Sequence, residues 1–383
     1  MRGQQRHGVL LLYAMVFFSW VSTYLYMPTL PTFSASVGAS ETMIGWIIGG
    51  FGLIQALLRA PLGVLSDLSH RRKIFINIGM LAAFIGPLGM AIWPTPLGLL
   101  IFRSISGITA ATWAVTTVFF SNYFETDDAP AAIAKCNVAN STGNVCGMLL
   151  GGILVGYYGQ RFAFFFAAVL GMTAFFISMF LRENPYDNTV PVTFKGLINI
   201  LKDKYLLKIA FLAFVFQVVI TGTSNSFTPI YAETIGADAF QLGLLGMLSM
   251  LGMVISAVLR NSLGKMFRSI RDVVTIAFII YASTTLGIPF CGDIGLLYVL
   301  QFTQGLSGYL ILIILMGESI VSYKYDKRGA AMGLFQSLFG FGMFSGPVFS
   351  GALNSILPLN SIFVIMAFLA AVASGLSYVW LRD

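Results

Sequence analysis

The sequence predicts an all-α integral membrane protein of twelve transmembrane helices, arranged as two six-helix bundles that repeat one another. Three observations indicate this fold class: an apolar composition, apolar runs of membrane-spanning length, and similar motifs in the two halves. The 383 residues are 57% hydrophobic and 10% charged, with a mean hydropathy of +0.85. Soluble domains are about 45–50% apolar and about 25% charged, so the composition excludes that class.

Apolar runs divide the chain into its predicted elements. A helix needs about 20 apolar residues to cross the ~30 Å hydrocarbon core of a bilayer. The runs lack the alternation with a period of two that a membrane β-barrel requires. The predicted helices span about residues 9–29, 42–65, 74–93, 96–121, 132–156, 162–182, 208–231, 241–263, 273–291, 295–321, 330–356 and 359–381.

The first run is interpreted as helix 1 and not as a cleaved signal peptide, because its apolar part is too long and eleven further runs follow. The three cysteines show neither the spacing of a disulfide framework nor that of a metal site. No H-E-x-x-H, G-x-S-x-G or P-loop pattern occurs in the sequence. We therefore predict no enzyme activity, no metal and no cofactor.

Basic residues are distributed unevenly between the predicted connections. If the N-terminus is cytoplasmic, 18 of the 22 Lys and Arg residues lie at the termini, in cytoplasmic connections or at the adjoining helix ends. Arg161 faces outside, and Arg59, Arg103 and Arg260 lie within spans. Such an excess marks the cytoplasmic side, so we expect both termini in the cytoplasm and the chain in a cell inner membrane. Topology and anionic lipids explain the net charge of +7 without nucleic acid.

The two halves of the chain resemble each other. RAPLG at 59–63 returns as RNSLG at 260–264, and VGAS at 37–40 is similar to IGAD at 235–238. At a constant offset of 199 residues, small residues pair in the same order: Gly143 with Gly342, Gly147 with Gly346, and Gly152 with Gly351.

The longest polar stretch separates these halves. We predict an N-terminal bundle over residues 1–182, a cytoplasmic linker over 183–205 and a C-terminal bundle over 206–383. Parallel repeats of this kind place a binding site near the midplane of the membrane, between the halves.

Three motifs connect the chain to a known family. GVLSDLSHRRK at 63–73 places a glycine four residues before an aspartate and follows with a basic cluster. RSISG at 103–107 lies on helix 4, and GNVCGMLLGG at 143–152 lies on helix 5. Over its whole length the chain resembles the major facilitator superfamily of secondary transporters.

The sequence departs from the family pattern at two positions. His70 stands where a second glycine is usual, and Met148 stands where the antiporter branch has proline. Helix 11 carries the fuller glycine motif, with Gly346 followed by Pro347.

Gly63 and Asp67 are candidates for a cytoplasmic gate. Their i, i+4 spacing places them on one face of helix 2. Glycine lets another helix approach, and Asp67 can accept hydrogen bonds at the N-terminus of that helix. The resemblance implies that the other helix is helix 11. Arg71 and Arg72 hold the turn in the cytoplasm, and a solvated acid beside its bases is the alternative interpretation.

Three arginines lie within predicted spans. Arg59 and Arg260 each precede a glycine by four residues. Each either takes part in a gate between the two halves or extends its charged group to the membrane surface. Arg103 lies deeper, and a buried arginine implies a carboxylate, a carbonyl cluster or a ligand. For Arg103 the resemblance implies a role in coupling or in substrate contact. The alternative is that Arg103 is a structural hydrogen-bond anchor to helix 1.

Glu318 is the one acid well inside a predicted span, which makes it a candidate for coupling to protons. It lies about one turn from the inner surface, and coupling sites usually lie at the midplane. The resemblance places Arg268 and Arg271 close by, and a structural ion pair with them is the alternative that this depth favours.

Helix 5 shows a seam of small and polar residues. An asparagine that faced lipid would leave its amide without partners, so the seam must face protein or water. Tight helix packing and a polar pore wall both satisfy this requirement. The packing candidates on helices 5 and 11 are Asn137, Asn140, Asn144, Gly143, Gly147, Gly342, Gly346 and Pro347.

Aromatic and amide side chains predict a substrate cavity. Tryptophans at span ends form a belt at the membrane surface, but two tryptophans of helices 1 and 4 lie near mid-membrane. Helices 1, 4, 7 and 10 resemble the cavity-lining helices of the family. The candidates are Trp20, Tyr24, Trp113, Gln217, Asn225, Gln304 and Tyr309.

Together these features predict a monomeric transporter that moves a small organic molecule, amphipathic or anionic, by alternating access. Glycine motifs similar to those of antiporters favour efflux coupled to protons. An uptake symporter or facilitative uniporter is the alternative mode of transport. A membrane sensor or assembly factor on the same fold is the alternative from another class.

Overall fold

The computed structural model describes residues 3–121, 123–124, 129–183, 203–266, 269–321, 323 and 325–381; at 3–7, 129–134, 257–266 and 325–330 it describes the backbone alone. This part of the chain forms twelve long helices, three of which are broken. The helices are α1a (Gly3–Leu25) and α1b (Leu30–Ser36), α2 (Glu41–Ser69), α3 (Arg72–Ile92), α4a (Pro96–Ala111) and α4b (Trp113–Ser121), α5 (Ala129–Tyr158), α6 (Gln160–Phe180), α7a (Lys204–Gly222) and α7b (Phe227–Thr234), α8 (Ala239–Met266), α9 (Ile270–Gly287) with a 3₁₀ turn (Ile288–Phe290), α10 (Ile294–Val321), α11 (Tyr325–Asn354) and α12 (Leu359–Trp380).

Eleven of these helices, counted over the described residues, are long and apolar enough to cross a membrane. The other, α11, has 30 residues and begins with the charged sequence Asp326-Lys327-Arg328. Each observed helix covers one predicted run, which confirms the predicted fold class. The predicted linker falls largely on residues outside the described part.

Local hydrogen bonds set where several helices begin. The Ser40 hydroxyl accepts from the Met43 N–H, and the Thr95 hydroxyl accepts from the Gly98 N–H. The Asp203 carboxylate accepts from the first N–H groups of α7a. Such caps satisfy backbone donors that have no partner inside the helix.

The first and seventh helices share an interruption and a turn. α1 is broken at 26–29 and α7 at 223–226, and each resumes as a short segment. The turns that follow these segments contain Gly38, with φ +86°, and Gly236, with φ +90°, a conformation that strains residues with a side chain. These are the glycines of VGAS and IGAD, so the sequence repeat corresponds to a repeated turn.

The two ends of the bundle differ in charge. The end at which α2 passes into α3 holds Arg71, Arg72 and Lys73, and we call it the basic end. The other end, which holds the turns at 37–40 and 235–238, is called the opposite end.

Each half has its own apolar core. Among described residues, the largest buried cluster consists only of residues after 205, and two further clusters have all their buried members before 182. The halves meet mainly along α2 with α11 and α5 with α8. This division leaves space between the two cores.

At the opposite end the halves meet backbone to backbone in two equivalent contacts. A Cβ placed on Gly152 of α5 would lie 2.9 Å from the Cα of Gly243 on α8. A Cβ placed on Gly351 of α11 would lie 3.2 Å from the Cα of Gly45 on α2. We call these two contacts the glycine seam.

A second set of glycines packs α5 on α1 and α11 on α7 within each half. A Cβ added there would lie close to a backbone carbonyl oxygen of the neighbouring helix: 2.9 Å for Gly143 and Phe17, 2.9 Å for Gly147 and Val21, 2.7 Å for Gly342 and Phe214, and 2.4 Å for Gly346 and Val218. Small residues permit such close approach in membrane helices.

The asparagines of the α5 seam lie in different surroundings. Asn144 is buried and donates to the Asn140 side-chain oxygen at 3.0 Å, whereas Asn137 is exposed. Pro347 lies on the other face of α11, where its carbonyl oxygen would be 2.4 Å from a Cβ on Gly45.

Candidate functional site

A cavity of about 190 Å³ lies between the two halves. Its wall is mostly aromatic and apolar, with neutral amide and hydroxyl groups and one arginine. The first half contributes Trp20, Tyr24, Phe51, Gln55 and Arg59, and the second contributes Phe216, Gln217, Ile220, Asn225, Ser249, Met250, Met253, Gly305, Gly308, Tyr309, Leu312, Phe339 and Met343. This lining suits an organic molecule with an apolar body and a few polar groups.

Five of the seven cavity candidates line this space: Trp20, Tyr24, Gln217, Asn225 and Tyr309. Phe51, Met250 and Met343 also line the cavity and were not predicted from the sequence, which assigned gating and packing roles to their helices. The sequence carried no signal that separates these three from the other apolar residues of α2, α8 and α11, because exposure to the cavity depends on how the halves are arranged.

The other two candidates lie behind the wall. Trp113 packs edge-on against Trp20, with 5.4 Å between ring centroids. Gln304 is 1% exposed, accepts from Ser224 at 2.9 Å and donates to Thr285 at 3.0 Å. Their contacts hold cavity-lining residues and the α7 break in place.

Asn225 occupies the junction of three cavities. It lies in the break between α7a and α7b, and it lines the 190 Å³ cavity, a second of about 30 Å³ and a third of about 20 Å³. A break in a membrane helix exposes polar groups that a continuous helix would conceal, which is why such breaks mark transport sites.

Arg103 lines the 30 Å³ cavity and is 2% exposed. One of its terminal nitrogens donates to the Tyr26 hydroxyl at 3.1 Å, and the other lies 3.0 Å from the Met27 sulfur. The guanidinium carbon stands 4.2 Å from the centre of the Phe51 ring. The break in α1 therefore holds Arg103 in place. Arg103 is both anchored to helix 1 and part of a cavity wall.

Arg59 joins three helices at the basic side of the large cavity. Its terminal nitrogens donate to the Gln336 side-chain oxygen at 2.8 Å and to the Ala110 carbonyl oxygen at 3.0 Å. Gln336 belongs to α11, so Arg59 connects the two halves. The side chain of Arg260 lies outside the described residues.

The 67–73 turn is held by an ion pair. Arg72 donates to Asp67 at 2.7 Å, with the arginine side chain 4% exposed and the aspartate side chain 30% exposed. Arg71 is exposed. No described atom lies within 4 Å of a Cβ placed on Gly63, so the described residues leave space beside α2 there. His70 adopts a left-handed φ of 55°, which explains why glycine is usual at this position.

Glu318 has a different partner from the one expected. The Tyr205 hydroxyl of α7a donates to the Glu318 carboxylate at 3.2 Å. Arg271 lies instead 3.5 Å from Asp272 and over the Tyr378 ring. Among the described residues Arg271 therefore forms no ion pair with Glu318, so the prediction of that pair is wrong, and Tyr205 of α7a reaches the carboxylate instead. Arg268 lies outside the described residues.

A second tyrosine supports the start of α7a. The Tyr323 hydroxyl donates to the Asp203 carboxylate, which also caps the helix. Burial and the adjacent Asp203 raise the pKa of Tyr323, so its hydroxyl keeps its proton and remains a donor.

A family model of the Major Facilitator Superfamily matches the chain over residues 12–271 and again over residues 209–383. An uncharacterized MFS-type transporter of Methanocaldococcus jannaschii is 26% identical over 390 residues, which covers 95% of this chain and 97% of the relative. Multidrug resistance protein 1 of Bacillus subtilis is 29% identical over 182 residues, which covers 47% of this chain and 46% of the relative.

Among solved structures, a mutant of the nucleoside transporter NupG matches with a TM-score of 0.86 at 15% identity. The match covers 98% of this chain and 100% of that structure. At this identity the likeness shows the fold of the molecule and leaves its substrate open.

Proposed function

Since the chain belongs to the Major Facilitator Superfamily, we propose that it carries a small organic compound across the membrane by alternating access, in exchange for protons. The observation that carries this proposal is the 190 Å³ cavity lined by both halves. A site built from two bodies can change its exposure when one body moves against the other.

The helix contacts support a working cycle. At the opposite end the glycine seam holds the halves together, whereas at the basic end the described residues leave space beside Gly63 of α2. The conformation is therefore one in which the cavity is closed toward the opposite end. For the other conformation, we propose that α11 approaches Gly63 and that Asp67 accepts hydrogen bonds from the N-terminus of α11.

The arrangement of charge supports an orientation. We propose that the basic end and both termini face the cytoplasm, because basic residues concentrate on that side of a membrane. Efflux is the proposed direction, supported by the multidrug name of one relative and by the glycine motif of α11. A proton carrier is proposed at Glu318, the one acid that the sequence places well inside a span.

Transport by purified protein in liposomes tests the function. Compounds that raise the unfolding temperature of the detergent-solubilised protein are first selected, because a ligand of the native state stabilises it. Each is then radiolabelled and offered to liposomes under a pH gradient. We expect gradient-driven accumulation of an unchanged compound. Binding without flux would indicate a sensor, and accumulation that ignores the pH gradient would indicate a uniporter.

A further inference from the structure

Two arginines face the space between the halves without a carboxylate beside them. Arg103 lines the 30 Å³ cavity and Arg59 lines the 190 Å³ cavity, and the described residues around both include no Asp or Glu. Neither arginine belongs to a salt bridge among the residues that the structure describes. A cation removed from water without a counter-charge is costly, so a purely structural role leaves this arrangement unexplained.

Arg103 has unused capacity for hydrogen bonding. Its described partners, Tyr26, Met27 and the Phe51 ring, are all neutral. Its Nε is buried and has no partner among the described residues. The side chain thus presents a full positive charge and an unsatisfied donor beside a cavity.

Asn225 adds a neutral donor and acceptor from the other half. Within the described part of the chain its side-chain amide forms no hydrogen bond, although it lines the same 30 Å³ cavity as Arg103. That volume has room for a group about the size of two water molecules. The larger cavity adjoins it, since Tyr24, Phe51, Asn225 and Met343 line both.

We propose that Arg103 and Asn225 bind the anionic group of the compound that the protein transports, a carboxylate or a group of like charge and shape. A guanidinium offers N–H groups in a geometry that matches a carboxylate. The apolar part of the compound lies in the larger cavity against Trp20, Tyr24 and Phe51. The identification of this compound as the cargo rests on the proposed transport function, whereas the anion site itself does not.

Matched ligands test the charge of the site. The unfolding temperature of the purified protein is measured with indole-3-acetate and phenylacetate, with their primary amides, and with the amines tryptamine and phenethylamine. Sodium chloride at equal ionic strength serves as the salt control. We expect the carboxylates to raise the unfolding temperature and the amides and amines to leave it near that of the salt control.

Variants assign the effect to the residues. Arg103→Met should weaken carboxylate binding by about 10- to 100-fold, the range for one charged hydrogen-bonding partner. Arg103→Lys keeps the positive charge but loses the paired N–H groups of the guanidinium, so it should bind carboxylates with intermediate affinity. Asn225→Ala removes an amide that has no described partner, so it should fold normally and bind carboxylates more weakly. Arg161→Met is the matched control, because Arg161 lies at the opposite end, away from both cavities.

Three outcomes would overturn the anion site: amides or amines that stabilise as strongly as carboxylates, no carboxylate effect beyond the salt control, or an unchanged response in Arg103→Met. If Arg103→Met does not fold, unchanged carboxylate affinity in both Arg103→Lys and Asn225→Ala overturns it. Carboxylate binding without flux into liposomes contradicts the transport function and leaves the anion site intact. Flux of the amides without binding of the carboxylates contradicts the anion site and leaves the transport function intact.

Discussion

Gly152 is a position where one added methyl group should change the balance between the two conformations. A Cβ on Gly152 would lie 2.8 Å from the Ala239 carbonyl oxygen and 2.9 Å from the Gly243 Cα. Both neighbours are backbone atoms of α8, which cannot turn aside as a side chain can. Gly152→Ala therefore forces α5 and α8 apart at the opposite end.

Overpacking of this kind costs about 1–3 kcal/mol. Because α5 and α8 belong to different halves, the strain acts on the conformation that is closed at the opposite end. The other conformation, in which this seam parts, escapes it. At about 1.4 kcal/mol for each factor of ten, the equilibrium should move about 5- to 150-fold toward opening at the opposite end.

Distances between spin labels measure this shift. Labels at Tyr157 on α5, which is 83% exposed, and Phe240 on α8, which is 44% exposed, report the separation of the halves. They are placed in a background whose three cysteines are replaced by alanine. We expect Gly152→Ala to populate a longer distance than the parent protein does.

Gly156 supplies the control on the same helix. It lies one turn further along α5, and no described atom lies within 4 Å of a Cβ placed there. Gly156→Ala should leave the distance distribution unchanged. An unchanged distribution in Gly152→Ala, or an equal change in both variants, would refute the reasoning.

Four further predictions concern the ion pair at the basic end, the contact of Arg59 with α11, the orientation in the membrane and the role of Glu318. Asp67→Asn should remove the ion pair to the buried Arg72 and lower the free energy of unfolding by about 1–2 kcal/mol; if denaturation and transport rate both match the parent, the 67–72 contact has no role. Gln336→Leu removes the acceptor on α11 for Arg59 and should cost about 1.5–3 kcal/mol, seen as a lower unfolding temperature, whereas Ser345→Ala, on the exposed face of α11, should cost little. Cysteine at Leu68 should resist an impermeant thiol reagent in intact cells and cysteine at Asp293 should react, and the opposite pattern would reverse the proposed orientation. Glu318→Gln keeps an acceptor for Tyr205, so it should fold normally; transport that still responds to a pH gradient would exclude Glu318 as the proton carrier.

The sequence predicted the helices and their repeat because those depend on apolar length and on glycine spacing. Gly38 and Gly236 illustrate this, since VGAS and IGAD form the same left-handed turn. The break at 26–29 contains Pro28, a signal that sequence alone could have used. The break at 223–226, Thr-Ser-Asn-Ser, contains no proline and could not be recognised in that way.

Contacts between distant helices were harder to predict. Glu318 was expected near Arg271, but Tyr205 reaches it, because the relative rotation of α7a and α10 decides which side chain is closer. Trp20 and Tyr24 could be placed at the cavity from their depth in helix 1. Phe51 and Met343 could not, since their exposure to the cavity depends on how far α2 and α11 separate.

The glycine seam has a consequence for how the halves close. Surfaces that close through long side chains must order them, at about 0.5–1.5 kcal/mol for each immobilised side chain. Gly152, Gly243, Gly351 and Gly45 have no rotamers to order, so this contact loses no side-chain entropy when it forms. In the proposed cycle this contact forms and parts repeatedly, so its closure depends on the fit of two backbones and not on the ordering of side chains.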